Sequence, residues 1–220
     1  MASESDARTA ILSSIRGALR VSAEREPSAR VNEYAAVSRE YKQSSTKSTE
    51  ELLELFTHRL DEYDAGVMRV APAQIPDAVA KLLRARGRAS IAIPEGLPAE
   101  WLPAGFQFVQ ASALDAHQLD KLDGVLTGCT VAIAETGSVV LQNAPSQGPR
   151  KLSLVPDYHL CIVFALQIVE TVPECFARLD ATSNLPTTFF SGPSATADIE
   201  MTRIKGVHGP RFLDVLIVAE

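Results

Sequence analysis

Near the C-terminus, two apolar runs, 187–190 (TTFF) and 212–218 (FLDVLIV), lack the alternation of a half-exposed strand, and Asp214 alone interrupts the second. Such runs predict strands of one sheet buried on both faces. Between them, Ser191-Gly192-Pro193-Ser194 sets a permissive residue, a helix-starting proline and a capping hydroxyl at the end of a strand. This order predicts a helix running through Asp198 and Glu200, its unpaired N–H groups aimed at the sheet's carboxyl edge, where an anion would be stabilised. The same pattern also serves a capped helix that binds nothing.

Upstream, Ile11, Leu12, Ile15 and Leu19 repeat at helical spacing, whereas 21–47 is polar and aperiodic and reads as an extended arm. Ser48-Thr49-Glu50-Glu51 is a capping box, followed by Leu52, Leu53, Phe56 and Leu60 on one helical face. Strands at 67–70, 90–93 and 106–109 then alternate with helices at 76–86 and, capped by 112–115, up to Lys121. Two apolar runs within 130–141 flank Glu135-Thr136-Gly137-Ser138, the signature of a hairpin, and a strand at 160–164 follows the PDYH turn. Thr171 caps a further helix with Pro173 near its start. The expected fold is a three-layer α/β domain, 49–220, with a mainly parallel sheet and an antiparallel element, preceded by an N-terminal helix and arm, 1–48.

Composition narrows the partners. A net charge of -6 argues against nucleic acid and against an anionic membrane surface. No apolar run approaches the roughly 18 residues of a membrane span, and MASESDARTA has no signal-peptide pattern, so a cytoplasmic protein is expected. Cys129, Cys161 and Cys175 are widely spaced without a CxxC pair, so neither a disulfide framework nor a cluster-binding run is encoded and no cofactor is expected in this chain.

Glu135, set between apolar runs beside a glycine, is a candidate base or nucleophile, and His208, between Gly206 and Gly209, a candidate proton carrier. His159 follows a proline turn at a strand start. The glycine turns containing Thr136, Gly137 and Ser138, then Gly192, Ser194 and Thr196, then Gly206, Gly209 and Arg211, are expected to converge on the carboxyl edge of the sheet. There Ser194 and Thr196, by backbone amides and hydroxyls, with Asp198 nearby, would meet a carboxylate or phosphate, and Arg150 or Arg211 would balance its charge. Asp198, Glu200, His159 and His208 match no standard metal spacing.

The segments AIAETGSVVLQ, PDYH, SGPSATADIE and GVHGPRFLDVLIV together resemble the LUD domain family of lactate-utilization proteins. The resemblance implies a NagB/RpiA/CoA-transferase-like fold and a subunit role, beside iron-sulfur partner subunits, in oxidising L-lactate to pyruvate. It establishes no catalytic residue. Two other readings stay open: an independent acyl or CoA transferase using Glu135, and a ligand-sensing or scaffold module without chemistry. Homo-oligomerisation is compatible with each.

Overall fold

The computed structural model describes residues 4–18, 35–38, 40–196, 204–205 and 209–219, with backbone alone at 4–6, 196 and 204–205. The chain divides into Met1–Tyr41 and Lys42–Glu220. In the first unit the helix Glu4–Ala18 (α1) carries Ile11, Leu12 and Ile15, all exposed. Leu19 and much of the predicted arm lie outside the described residues.

The second unit contains, in chain order, α2 (Thr49–Glu62), β1 (Gly66–Val70), α3 (Ile75–Ala85), β2 (Ser90–Ile93), β3 (Gln107–Gln110), α4 (Ala116–Asp120), β4 (Gly124–Thr127), β5 (Val131–Ile133) and β6 (Ser138–Gln142). There follow β7 (Tyr158–Phe164), β8 (Ile168–Val169), α5 (Val172–Leu179), β9 (Thr187–Ser191), β10 (Ala195–Thr196), β11 (Ile204–Lys205) and β12 (Phe212–Val218). The capping box of α2 forms as its sequence requires: Ser48 N–H donates to Glu51 at 2.7 Å, and Glu51 N–H donates to the Ser48 hydroxyl at 3.4 Å. Leu53, Phe56 and Leu60 then lie buried on one helical face. α4 is capped by Asp115, whose carboxylate accepts from Gln118 N–H, while Ser112 sits in a separate 3-10 turn.

Six strands in the order β1-β12-β7-β4-β2-β3 form a sheet, every pair parallel. Although β7 and β12 read as mainly apolar runs, broken by His159 and Asp214, their side chains alternate between two cores. Leu160, Ile162, Leu216 and Val218 face the core under α3, whereas Cys161, Val163, Val215 and Ile217 face the core shared with α2 and the second sheet. That second sheet, β8-β5-β6-β9, is mixed: β5–β6 and β6–β9 are antiparallel and β5–β8 is parallel. Cys175 and Leu179 of α5 cover its outer face. The result is the three-layer α/β fold with a mainly parallel sheet and an antiparallel element.

Two local expectations are corrected. The strand 187–190 does not share a sheet with 212–218; β9 is an edge strand paired to β6, and the exposure of Thr187 and Phe189 fits an edge rather than a doubly buried position. An apolar run identifies a strand without naming its partner. Nor is the residue pair after Ser194 helical. Ala195 and Thr196 pair antiparallel with Lys205 and Ile204, and Ser194 N–H donates to the Pro210 carbonyl at 2.9 Å, tying the segment to the lead-in of β12. Asp198 and Glu200 lie outside the described residues. The short strands β4 and β8 went unread because each is bounded by turns and too brief to show a period.

Candidate functional site

A cavity of about 270 Å³ lies between the two sheets, walled by Ser191, Gly192, Pro193 and Ser194 on one side and by Gly209 and Pro210 on the other. Arg150, Ser153 and His159 complete its polar lining. Residues 209–210 lead into β12 and 153–154 lead into β7, so the cavity sits at the amino-terminal edge of these parallel strands. The carboxyl edge expected for it is thereby corrected. Further along β7 and β12 the space between the sheets is filled by Cys161, Val163, Val215 and Ile217, whereas the glycine and proline loops at the amino edge leave volume. A larger cavity, about 600 Å³, does lie beyond the carboxyl ends of β2 and β3, but none of the predicted site residues lines it.

His159 is 2% exposed and forms the inner wall, its ring 5.1 Å from that of Phe190. Burial lowers its pKa from 6.5 to about 4, so the imidazole is neutral at pH 7. Its Nε2 lies 2.7 Å from the Thr127 hydroxyl, which also reaches the Cys161 sulfur at 3.7 Å. The hydroxyl proton serves either the ring nitrogen or the sulfur, and the choice fixes the tautomer. Thr127 belongs to β4, and missing that strand hid this partner.

Arg150 stands at the cavity rim on the 3-10 segment Arg150–Ser153 and donates to the Ser153 hydroxyl at 3.2 Å. It is exposed and forms no ion pair with any described residue. Arg211 differs: it points outward, with its guanidinium on Asp157, whose carboxylate raises the Arg211 pKa by hydrogen bonding and charge. Asp157 also accepts from Arg88 at 3.2 Å. Of the two predicted cations, Arg150 is therefore the one that reaches the cavity.

The expected convergence of turns is partial. Ser191–Ser194 and Gly209 meet at the cavity, with Ser194 N–H occupied by Pro210 and so withheld from a ligand. The 135–138 turn adjoins without lining it: Ser138 and Ser191 hydroxyls are 2.6 Å apart, and Thr136 and Ser138 hydroxyls 2.7 Å. Gly137 (φ 60°) and Gly192 (φ 78°) answer to packing. An added Cβ would come 2.8 Å from Arg59 Cβ in the first case and 2.3 Å from Tyr63 Cβ in the second, both at the end of α2. Glu135 is solvated at the hairpin tip, where Lys42 meets it at 3.4 Å, so the burial expected to tune it is absent. Lys42 also binds the buried Glu170, which sequence reading passed over. Gly206 and His208 lie outside the described residues, as does the side chain of Thr196.

The comparisons with known proteins bear on this arrangement. The LUD domain family model matches residues 35–218. The chain belongs to the LUD domain family. Lactate utilization protein C of Deinococcus radiodurans is 44% identical over 174 residues, 78% of this chain and 81% of that protein. Lactate utilization protein C of Oceanobacillus iheyensis is 26% identical over 202 residues, covering 83% of this chain and 86% of its own. The crystal structure of a DUF162 family protein from Deinococcus radiodurans superimposes with a TM-score of 0.69 at 40% identity, covering 79% of this chain and 99% of the other.

In this LUD domain the described residues include no group of three or more His, Cys, Asp or Glu placed to hold a metal ion, and no described helix is long and apolar enough to cross a membrane. Cys129 and Cys161 are buried in the core between the sheets and Cys175 in the core beneath α5. Sequence reading missed Ser153 and Thr127 as contributors, whereas Ser191 opened one of the turns expected at the pocket without a role of its own. Ser153 sits three residues after Arg150, so the signal available was that proximity.

Proposed function

We propose that this chain is a subunit of a cytoplasmic system that oxidises L-lactate to pyruvate, binding a small carboxylate in the cavity between Arg150 and the Ser191–Ser194 loop. The observation carrying the reading is the joint one: a cation without an ion pair to any described residue at the mouth of a cavity, in a chain 44% identical to a lactate utilization protein C. A carboxylate there would meet a guanidinium suited to two-point hydrogen bonding, with the neutral His159 and Ser191 along the wall.

The lining supplies binding and orientation. Removing a pair of electrons from lactate needs an acceptor, and we assign it to iron-sulfur partner subunits, since no cysteine set here fits a cluster. The rival reading, an acyl transferase using Glu135, is disfavoured because Glu135 is ion-paired to Lys42 away from the cavity lining. Deleting the gene in a strain lacking other L-lactate dehydrogenases tests the role: growth on L-lactate as sole carbon source should be lost and return with the native gene. Unimpaired growth of the deletion strain would overturn it.

A further inference from the structure

A second cavity, about 240 Å³, adjoins the first along the edge strand β9, and Arg150 and Ser153 line both. Its far end is built from Leu141, Gln142, Gln147, Thr187 and Thr188. Singly, each cavity falls below the range of about 300–1,000 Å³ typical of small-molecule sites, and joined through Arg150 they enter it.

The two buried glutamines of this far end differ in how fully they are bonded. Gln142 is saturated: its amide nitrogen donates to the Thr182 carbonyl at 3.1 Å and to the Thr187 hydroxyl at 3.2 Å, and its oxygen accepts from Thr182 Oγ1 at 2.9 Å. Gln147, 7% exposed, is held by its oxygen alone, which accepts from Thr130 Oγ1 at 2.8 Å and from Gln142 N–H at 2.7 Å. Because a backbone N–H donates to it, that atom must be the oxygen, and the amide orientation is fixed. Gln147 Nε2 then has no acceptor among the described residues, and Gln147 lines the cavity. A donor pair on a residue more than nine-tenths buried, beside space, calls for an acceptor from outside the chain.

We propose that the two cavities form one elongated site, taking a ligand with a carboxylate or phosphate at Arg150 and a carbonyl-type acceptor at Gln147. This rests on the reading that Arg150 binds an anion, and it extends the ligand class beyond a three-carbon acid. L-Lactate would occupy the inner cavity alone; a longer anion ending in an amide or similar carbonyl would span both.

Calorimetric titration of the full chain with acetate, succinamate, glutaramate and adipamate tests this, because the series keeps one carboxylate and moves a terminal amide outward. At least one amide-bearing acid should bind about tenfold more tightly than acetate, the worth of one well-placed hydrogen bond plus burial. Gln147→Glu keeps the anchoring oxygen and removes the donors, so the affinity ratio of that acid to acetate should collapse toward one. Thr188→Tyr, which fills the far cavity from a strand position suited to tyrosine, should do the same, and it decides the matter if Gln147→Glu does not fold. Equal affinity along the series, or a gain that survives the substitutions, would overturn the elongated site while leaving the acetate reading intact. Failure of every probe, acetate included, would overturn both.

Discussion

Tyr158 and His159 are consecutive in β7 and serve two polar clusters on opposite faces of the same sheet edge. Beneath Tyr158, the buried Asp214 accepts from Arg86 Nη2 at 2.6 Å and Nε at 3.0 Å and from the Tyr158 hydroxyl at 2.9 Å. Gly66 closes the space so tightly that an added Cβ would come 2.1 Å from Asp214 Oδ1. Burial, and then Asp214, push the Tyr158 phenol far above its usual pKa. On the other face, His159 has one hydroxyl partner at 2.7 Å and a cavity beside it. Both clusters are buried and polar. Saturation separates them: the Asp214 side is bonded to completion and serves the fold, and the His159 side leaves bonding capacity and volume for a ligand.

The largest effect expected from breaking this contrast falls on the saturated side. Arg86→Ala would leave the Asp214 carboxylate buried without its cation and should cost about 3–5 kcal/mol in urea unfolding, with no change in carboxylate binding. A loss below about 1 kcal/mol would mean the cluster is not the structural element described.

Next comes pH. His159 is held neutral with its pKa near 4 against 6.5 for the ordinary group. The unfolded chain therefore takes up the proton first as pH falls. The stabilisation from this group is complete above about pH 6.5 and is lost as pH drops toward 4, by about 3 kcal/mol at 1.36 kcal/mol per unit. Stability of the native chain minus that of His159→Gln, measured across that window, should show the loss; a flat difference would contradict it. Thr127→Val, which keeps the shape and removes the histidine's partner, should cost less, about 1–2 kcal/mol by thermal unfolding.

The sequence made parts of this contrast legible and hid others. Caps and periods located α2 and α5 because Ser48/Glu51 and Thr171/Glu174 act within one helical turn. The parallel alternation was readable from apolar runs. Partner choice was not: the TTFF run gave no sign that it pairs with β6 across the second sheet, since pairing depends on contacts distant in sequence. At the site, His159, Arg150, Ser194 and Gly209 were legible from their turns, and the structure gathers them at one cavity. Gly137 looked like a ligand turn and serves packing against α2, because sequence shows that a glycine is there without showing what approaches it. Asp214 read as a blemish in an apolar strand, and its meaning required Arg86, 128 positions away.

The smallest expected stability effect accompanies the sharpest functional one. Arg150→Gln changes an exposed side chain without an ion pair to any described residue and should alter stability by less than about 0.5 kcal/mol. The central claim is that Arg150, and not the Asp157-bound Arg211, receives the ligand carboxylate. Calorimetric titration of pyruvate into the native chain, Arg150→Gln and Arg211→Gln tests it directly. The account predicts that binding falls at least tenfold in Arg150→Gln and stays within about twofold in Arg211→Gln; equal affinity in the native chain and Arg150→Gln, or a loss confined to Arg211→Gln, would contradict it.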